Sequence, residues 1–148
     1  MEPWMIILLI IGGVAVVITI VMLILKQKNN KALISRVKEI GNFENGILTI
    51  NNIQFYVQFI KVGEKDEFTI NSSLIAQKKS YGKSELIRLA STKLPKLIIV
   101  YPYNGRIKRY INENEMEFIT CRNFFWNMHV CKLSELGSFK SHIEERTQ

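Results

Sequence analysis

Residues 97–101 read Leu97-Ile98-Ile99-Val100-Tyr101, an unbroken apolar run between Pro95-Lys96 and Pro102. A run this short, rich in β-branched residues and bounded by prolines, predicts a strand rather than a helix. None of its aliphatic side chains is polar, so both faces must be covered. That is the position of a central strand in a sheet flanked by helices.

Toward the N-terminus, Gly46 to Ile50 and Ile53 to Val62 read as strands joined in hairpin fashion at Asn51-Asn52. Phe55, Val57 and Phe59 alternate with polar residues, and Gly63-Glu64-Lys65-Asp66 reads as a turn. A third extended segment begins at Phe68 and resumes from Leu74 to Gln77. Ser84 is a suitable N-cap for a helix carrying Leu86, Ile87, Leu89 and Ala90, which must end before Pro95.

Toward the C-terminus, the Asn104-Gly105 turn precedes a predicted helix over Arg106 to Glu115, with Ile107, Tyr110 and Ile111 inward. Short strands follow at Met116 to Thr120 and Met128 to Leu133, then a last helix with Leu136, Phe139 and Ile143 on one face. This order predicts a single α/β domain over residues 42–148, with a mixed central sheet flanked by helices.

Ahead of that domain, no charge interrupts the chain between Glu2 and Lys26, and Thr19 carries the only hydroxyl from Trp4 to Leu25. As a helix this stretch reaches about 33 Å, against roughly 30 Å of bilayer hydrocarbon. Pro3 suits the first helical position, and Trp4 suits the headgroup level. The segment lacks the basic n-region and small-residue cleavage site of a secretory signal, so residues 1–25 read as a retained single-pass anchor, with helix 4–25.

Residues 26–41 read as a basic juxtamembrane helix with Leu33, Ile34, Val37 and Ile40 on one face and Gly41 as its stop. Lys26, Lys28, Lys31, Arg36 and Lys38 follow the anchor, and no Lys or Arg precedes it. The positive-inside bias then puts the N-terminus outside and the domain in the cytoplasm, at the cell membrane. Lys26, Lys28, Lys31 and Arg36 are placed to meet anionic lipid headgroups. Gly12, Ala15 and Thr19 share one stripe of the anchor and would let two copies approach as a homodimer.

Lys and Arg number 20 against 13 Asp and Glu, a net charge of +7. Such a balance draws a domain to anionic partners, whether lipid or nucleic acid. Lys78, Lys79, Lys83, Arg88, Lys93 and Lys96, then Arg106, Lys108 and Arg109, form the basic stretches. Of these, Lys78, Lys83, Arg88, Arg106, Lys108 and Arg109 are the candidate phosphate contacts. Cys121 and Cys131 read as free thiols; even with His129 and the distant His142 they do not make a zinc site, and no metal site is expected. The glycine-rich phosphate loops, paired helical histidines and serine elbows of several common enzyme classes do not occur.

One local motif carries a resemblance. Leu74-Ile75-Ala76-Gln77-Lys78-Lys79 closes a predicted three-stranded meander and precedes a predicted helix and the strand at Leu97. This order over residues 31–120 resembles the restriction-endonuclease-like core with its PD-(D/E)xK motif, in the Mrr-like form that carries Gln for the acid. The resemblance implies a Mg²⁺-dependent nuclease in which Gln77 and Lys79 are catalytic, with Asp66 nearest to the metal-binding acid. The family places that acid on the second strand, where this chain has Gln54, Val57 and Gln58. A hard cation requires carboxylate oxygens. Without that strand carboxylate, the residues favour a non-enzymatic module that binds a protein partner or nucleic acid at the membrane surface. A tethered nuclease and an anionic-lipid-binding adaptor of a membrane assembly are the alternatives.

Overall fold

The computed structural model describes residues 2–148. A single helix, α1, runs from Pro3 to Lys38, through both the apolar segment and the basic segment after it. The chain divides into two compact units, residues 1–35 and Arg36–Gln148. Within the first unit the side chains from Trp4 to Leu25 are exposed. An 18-residue window of α1 has a mean hydropathy of 3.2, so the helix is long and apolar enough to cross a membrane.

The second unit holds ten strands and a terminal helix. Strands β1 (Asn42–Glu44), β2 (Ile47–Ile50) and β3 (Ile53–Val62) form an antiparallel meander. Two tight turns set its register, Asn45-Gly46 with φ of 51° and 78°, and Asn51-Asn52 with φ of 47° and 66°. Left-handed pairs of this kind match the twist of hairpin strands, and Asn and Gly tolerate them best. The expected hairpin at Asn51-Asn52 is therefore present. Gly41 lets the end of the helix approach β2, since a Cβ there would lie 2.5 Å from the Thr49 carbonyl oxygen.

Strand β7 (Lys96–Pro102) pairs parallel to β3, and β10 (Met128–Lys132) pairs parallel to β7. The first sheet thus has the order β1-β2-β3-β7-β10. Parallel neighbours require crossover connections, and in α/β folds these are usually helices. Here both crossovers run through a second sheet of order β6-β5-β4-β8-β9. Strands β4 (Glu67–Ile70), β5 (Ile75–Ser80) and β6 (Lys83–Arg88) link β3 to β7; β8 (Ile107–Asn112) and β9 (Glu115–Ile119) link β7 to β10. Helix α2 (Leu136–Thr147) ends the chain.

Two predicted helices are therefore strands, for local reasons. Tyr81 and Gly82 take φ of 49° and 78°, and this tight turn returns the chain as β6 with Ser84 opposite Lys79 and Leu86 opposite Gln77. Ser84 is a strand residue, not an N-cap. In the segment 106–115, the Asn114 amide donates to Asn112 Oδ1 at 2.9 Å, an Asx turn that closes the β8–β9 hairpin. Ile107 points inward opposite Ile119, but Ile111 beyond it is half exposed.

The mixed central sheet is as expected, but helices do not flank both of its faces. On one face Leu48, Phe55, Leu97, Ile99 and Cys131 pack against Val37, Leu136, Phe139 and Ile143. On the other, Ile60, Ile98, Val100 and Val130 meet Phe68, Ile70, Ala76 and Ile107 of the second sheet. Leu97 through Val100 are fully buried, as the apolar run demands. Burial of each such side chain contributes about 1.5–3 kcal/mol. Ile98→Ala is expected to cost about 2–5 kcal/mol, whereas Ile111→Ala should stay within about 0.5–1 kcal/mol. Urea denaturation of the full chain in detergent micelles, followed by near-ultraviolet circular dichroism, compares the two.

Candidate nucleic-acid interface

Ladder partners share a sheet face, and successive residues alternate between faces. In the second sheet Phe68, Ile70, Ala76, Ile107 and Ile119 enter the core. Their alternates Thr69, Gln77, Lys79, Lys108, Tyr110, Phe118 and Met116 therefore lie on the outer face, together with Leu86 and Arg88 of β6. Leu86 is 67% exposed and Phe118 58%, so no element of this unit covers that face.

The side chains of this face mix positive charge with aromatic surface. The Arg106 guanidinium lies 5.0 Å from the Phe118 ring centroid and the Lys108 ammonium 6.0 Å. Cations so placed are attracted to the ring quadrupole while staying accessible. Lys79, Arg88 and Lys108 face outward, with Glu67 the one carboxylate among their ladder neighbours on this side, and Arg106, just ahead of β8, joins them over Phe118.

The other candidate phosphate contacts sit differently. Lys78 faces inward and pairs with Glu85 at 3.1 Å. Arg109 also faces inward, bonded to Glu117 and held 4.4 Å from the Phe125 ring centroid. Lys83 is exposed at the start of β6 beside the Tyr81-Gly82 turn. Lys96, a member of the same basic stretch but not one of those candidates, is only 4% exposed and donates from Nζ to the Ser73 carbonyl oxygen at 2.6 Å. Burial holds its pKa below the usual lysine value, and it is not available to a polyanion.

The three residues of the nuclease resemblance are not brought to one point. Gln77 and Lys79 lie on the outer face, where Gln77 accepts from Asn71 Nδ2 at 3.3 Å. Asp66 sits in the turn before β4, and its Oδ2 accepts from the Gly63 amide at 2.8 Å. A hydrogen bond from the Ser80 side chain, then the one from Gly63, keeps its carboxyl below the usual range. The Asp66 carboxylate thus points back at Gly63, into its own turn, rather than toward Gln77 or Lys79. Among the described residues no group of three or more His, Cys, Asp or Glu side chains is placed to hold a metal ion.

On the first sheet, His129 and Cys131 do share a face, but as core groups. Cys121 and Cys131 are both free and buried, and burial pushes the Cys131 thiol up. His129 is 1% exposed, and its Nδ1 donates to the Cys121 carbonyl oxygen at 3.0 Å. Rings of Phe124 and Phe139, each 5.0 Å away between centroids, and of Phe55 at 6.0 Å surround it. On α1, Lys26, Lys28, Lys31 and Arg36 are exposed, and Thr19 Oγ1 donates to the Ala15 carbonyl oxygen at 2.9 Å within the helix.

Comparison of the chain with protein-family models, curated proteins and solved structures gives no match. Phe118, Tyr110, Met116 and Leu86 were not anticipated as parts of a binding face. The signal for them is the alternation in Ile107-Lys108-Arg109-Tyr110 and Met116-Glu117-Phe118-Ile119, which reads correctly only once both segments are strands.

The buried histidine gives this unit a defined pH dependence. Burial, the largest influence, lowers the His129 pKa from 6.5 to about 4. The unfolded chain therefore takes up this proton first, so stability present above pH 6.5 is lost as pH falls toward 4. The loss is on the order of 3 kcal/mol. Urea midpoints of the full chain measured across this range should fall on acidification, and His129→Phe, which keeps a ring in the aromatic cage, should flatten the trend.

Proposed function

We propose that this chain is a single-pass membrane-anchored binding module, without catalytic activity, that holds nucleic acid at the membrane surface. The observation that carries the reading is the open outer face of the second sheet, where Lys79, Arg88, Arg106 and Lys108 stand against Glu67 alone. Phosphate chains take their affinity mainly from such cations, because each contact releases condensed counterions. The length and hydropathy of α1 support the anchor. The basic residues Lys26, Lys28, Lys31 and Arg36 support a cytoplasmic orientation with anionic headgroups beside them.

A binding role fits the site better than nuclease chemistry, since the Asp66 carboxylate points back into its own turn and accepts from the Gly63 amide. The full chain reconstituted in zwitterionic nanodiscs should bind labelled oligonucleotides and leave them intact in Mg²⁺. Its affinity should fall with salt at a log–log slope of about −3 if four cations each contact one phosphate. Arg106→Gln with Lys108→Gln should halve that slope. Cleavage that disappears in Lys79→Ala would instead establish the nuclease.

A further inference from the structure

The outer face of the second sheet also indicates which form of nucleic acid it suits. From β6 to β9 the five strands span about 19 Å at 4.8 Å per spacing, wider than the roughly 12 Å major groove of a duplex. The face is built only from strands, with no helix on it. An undeformed duplex would meet this face mainly through its phosphates, because its bases are stacked on one another and opening them to the sheet costs unstacking.

Phe118 changes this comparison. It is 58% exposed on the edge strand β9, flanked by Arg106 at 5.0 Å and Lys108 at 6.0 Å from its ring centroid. Both cations reach over the ring from the β8 side, and β9 is the sheet edge. The side of the ring turned away from β8 is therefore open for a base to stack on while the cations meet the adjoining phosphates. Next along the face, Thr69 lies opposite Lys108 and Gln77 opposite Thr69, adding hydrogen-bonding groups toward the middle strands. An unpaired base is free to leave its neighbours for the ring, whereas a duplex can reach it only by unstacking a base step at a cost of about a few kcal/mol.

We infer that this face is a single-strand nucleic-acid platform on which Phe118 stacks an unpaired base while Arg106 and Lys108 hold the adjoining phosphates. The inference rests on the nucleic-acid reading above and deepens it by naming the strand state and the stacking residue. Charge complementarity selects this occupant over a second copy of the chain, because Lys79, Arg88, Arg106 and Lys108 would face their own kind across a symmetric interface.

The test is fluorescence anisotropy with the full chain in zwitterionic nanodiscs, using a labelled oligouridine and an RNA duplex of equal length. The single strand should bind at least about tenfold more tightly than the duplex. Phe118→Ala should remove roughly tenfold of that affinity with the salt slope unchanged, because stacking is not a counterion-release effect. Phe118→Trp, which keeps the stacking surface, should retain tight binding and so separates lost stacking from lost folding.

Equal affinity for both strand states, or an unchanged affinity in Phe118→Ala, overturns the inference and leaves the nucleic-acid reading standing. Failure to bind either RNA overturns both. So does self-association through this face that is lost in Phe118→Ala, or binding confined to nanodiscs made with anionic lipid.

Discussion

The structure depends on β7 being covered on both faces. Leu97 and Ile99 require one apolar layer, and Ile98 and Val100 require another. Helix α2 and the residues after Arg36 supply the first, through Leu136, Phe139, Ile143, Val37 and Ile40. The second comes from the inner face of another sheet, whose strands are also the connections that make β3, β7 and β10 parallel. Topology and burial are thus one constraint, because the segments that must cross over to keep the strands parallel also shield Ile98 and Val100.

That arrangement leaves the second sheet with one committed face and one free face. Its inner side chains, Phe68, Ile70, Ala76, Ile107 and Ile119, are fixed by the demands of β7. Its outer side chains are under no packing demand, so their chemistry is not explained by stability. Exposed Phe118 and Leu86 would be replaced by polar residues at little cost to the fold, and a face with four outward cations and one carboxylate gains nothing in stability from that imbalance. Surface charges contribute little when paired and repel when not. Their exposure and shared sign are what the proposed phosphate contacts rest on.

Most of the first sheet and α2 was legible in the sequence, and the second sheet much less so. The run at Leu97, the hairpin at Asn51-Asn52, the strand at Met128 and the face Leu136, Phe139, Ile143 each carry one unmistakable period. The segments after Ser84 and Arg106 are short enough for helical and strand periods to coexist, as with Leu86, Ile87 and Leu89. What decides them is turn chemistry. Tyr81-Gly82 is a tight turn without the usual Asn or Asp, and Asn112 to Asn114 closes a hairpin through a side chain. The cations Arg88, Arg106 and Lys108 were evident from composition. Which of the basic residues face outward, and that Phe118 stands among them, depends on strand register.

The most direct measurement is methyl NMR of the full chain in zwitterionic nanodiscs, with oligouridine added stepwise. The Met116, Leu86 and Thr69 methyls, which lie on the outer face, should shift in proportion to occupancy, while Leu97, Val130 and Ile143 in the α2-side and central core should not. Shifts at the core and α2 methyls with the outer-face methyls unmoved, or no shifts at saturating oligonucleotide, would contradict the account.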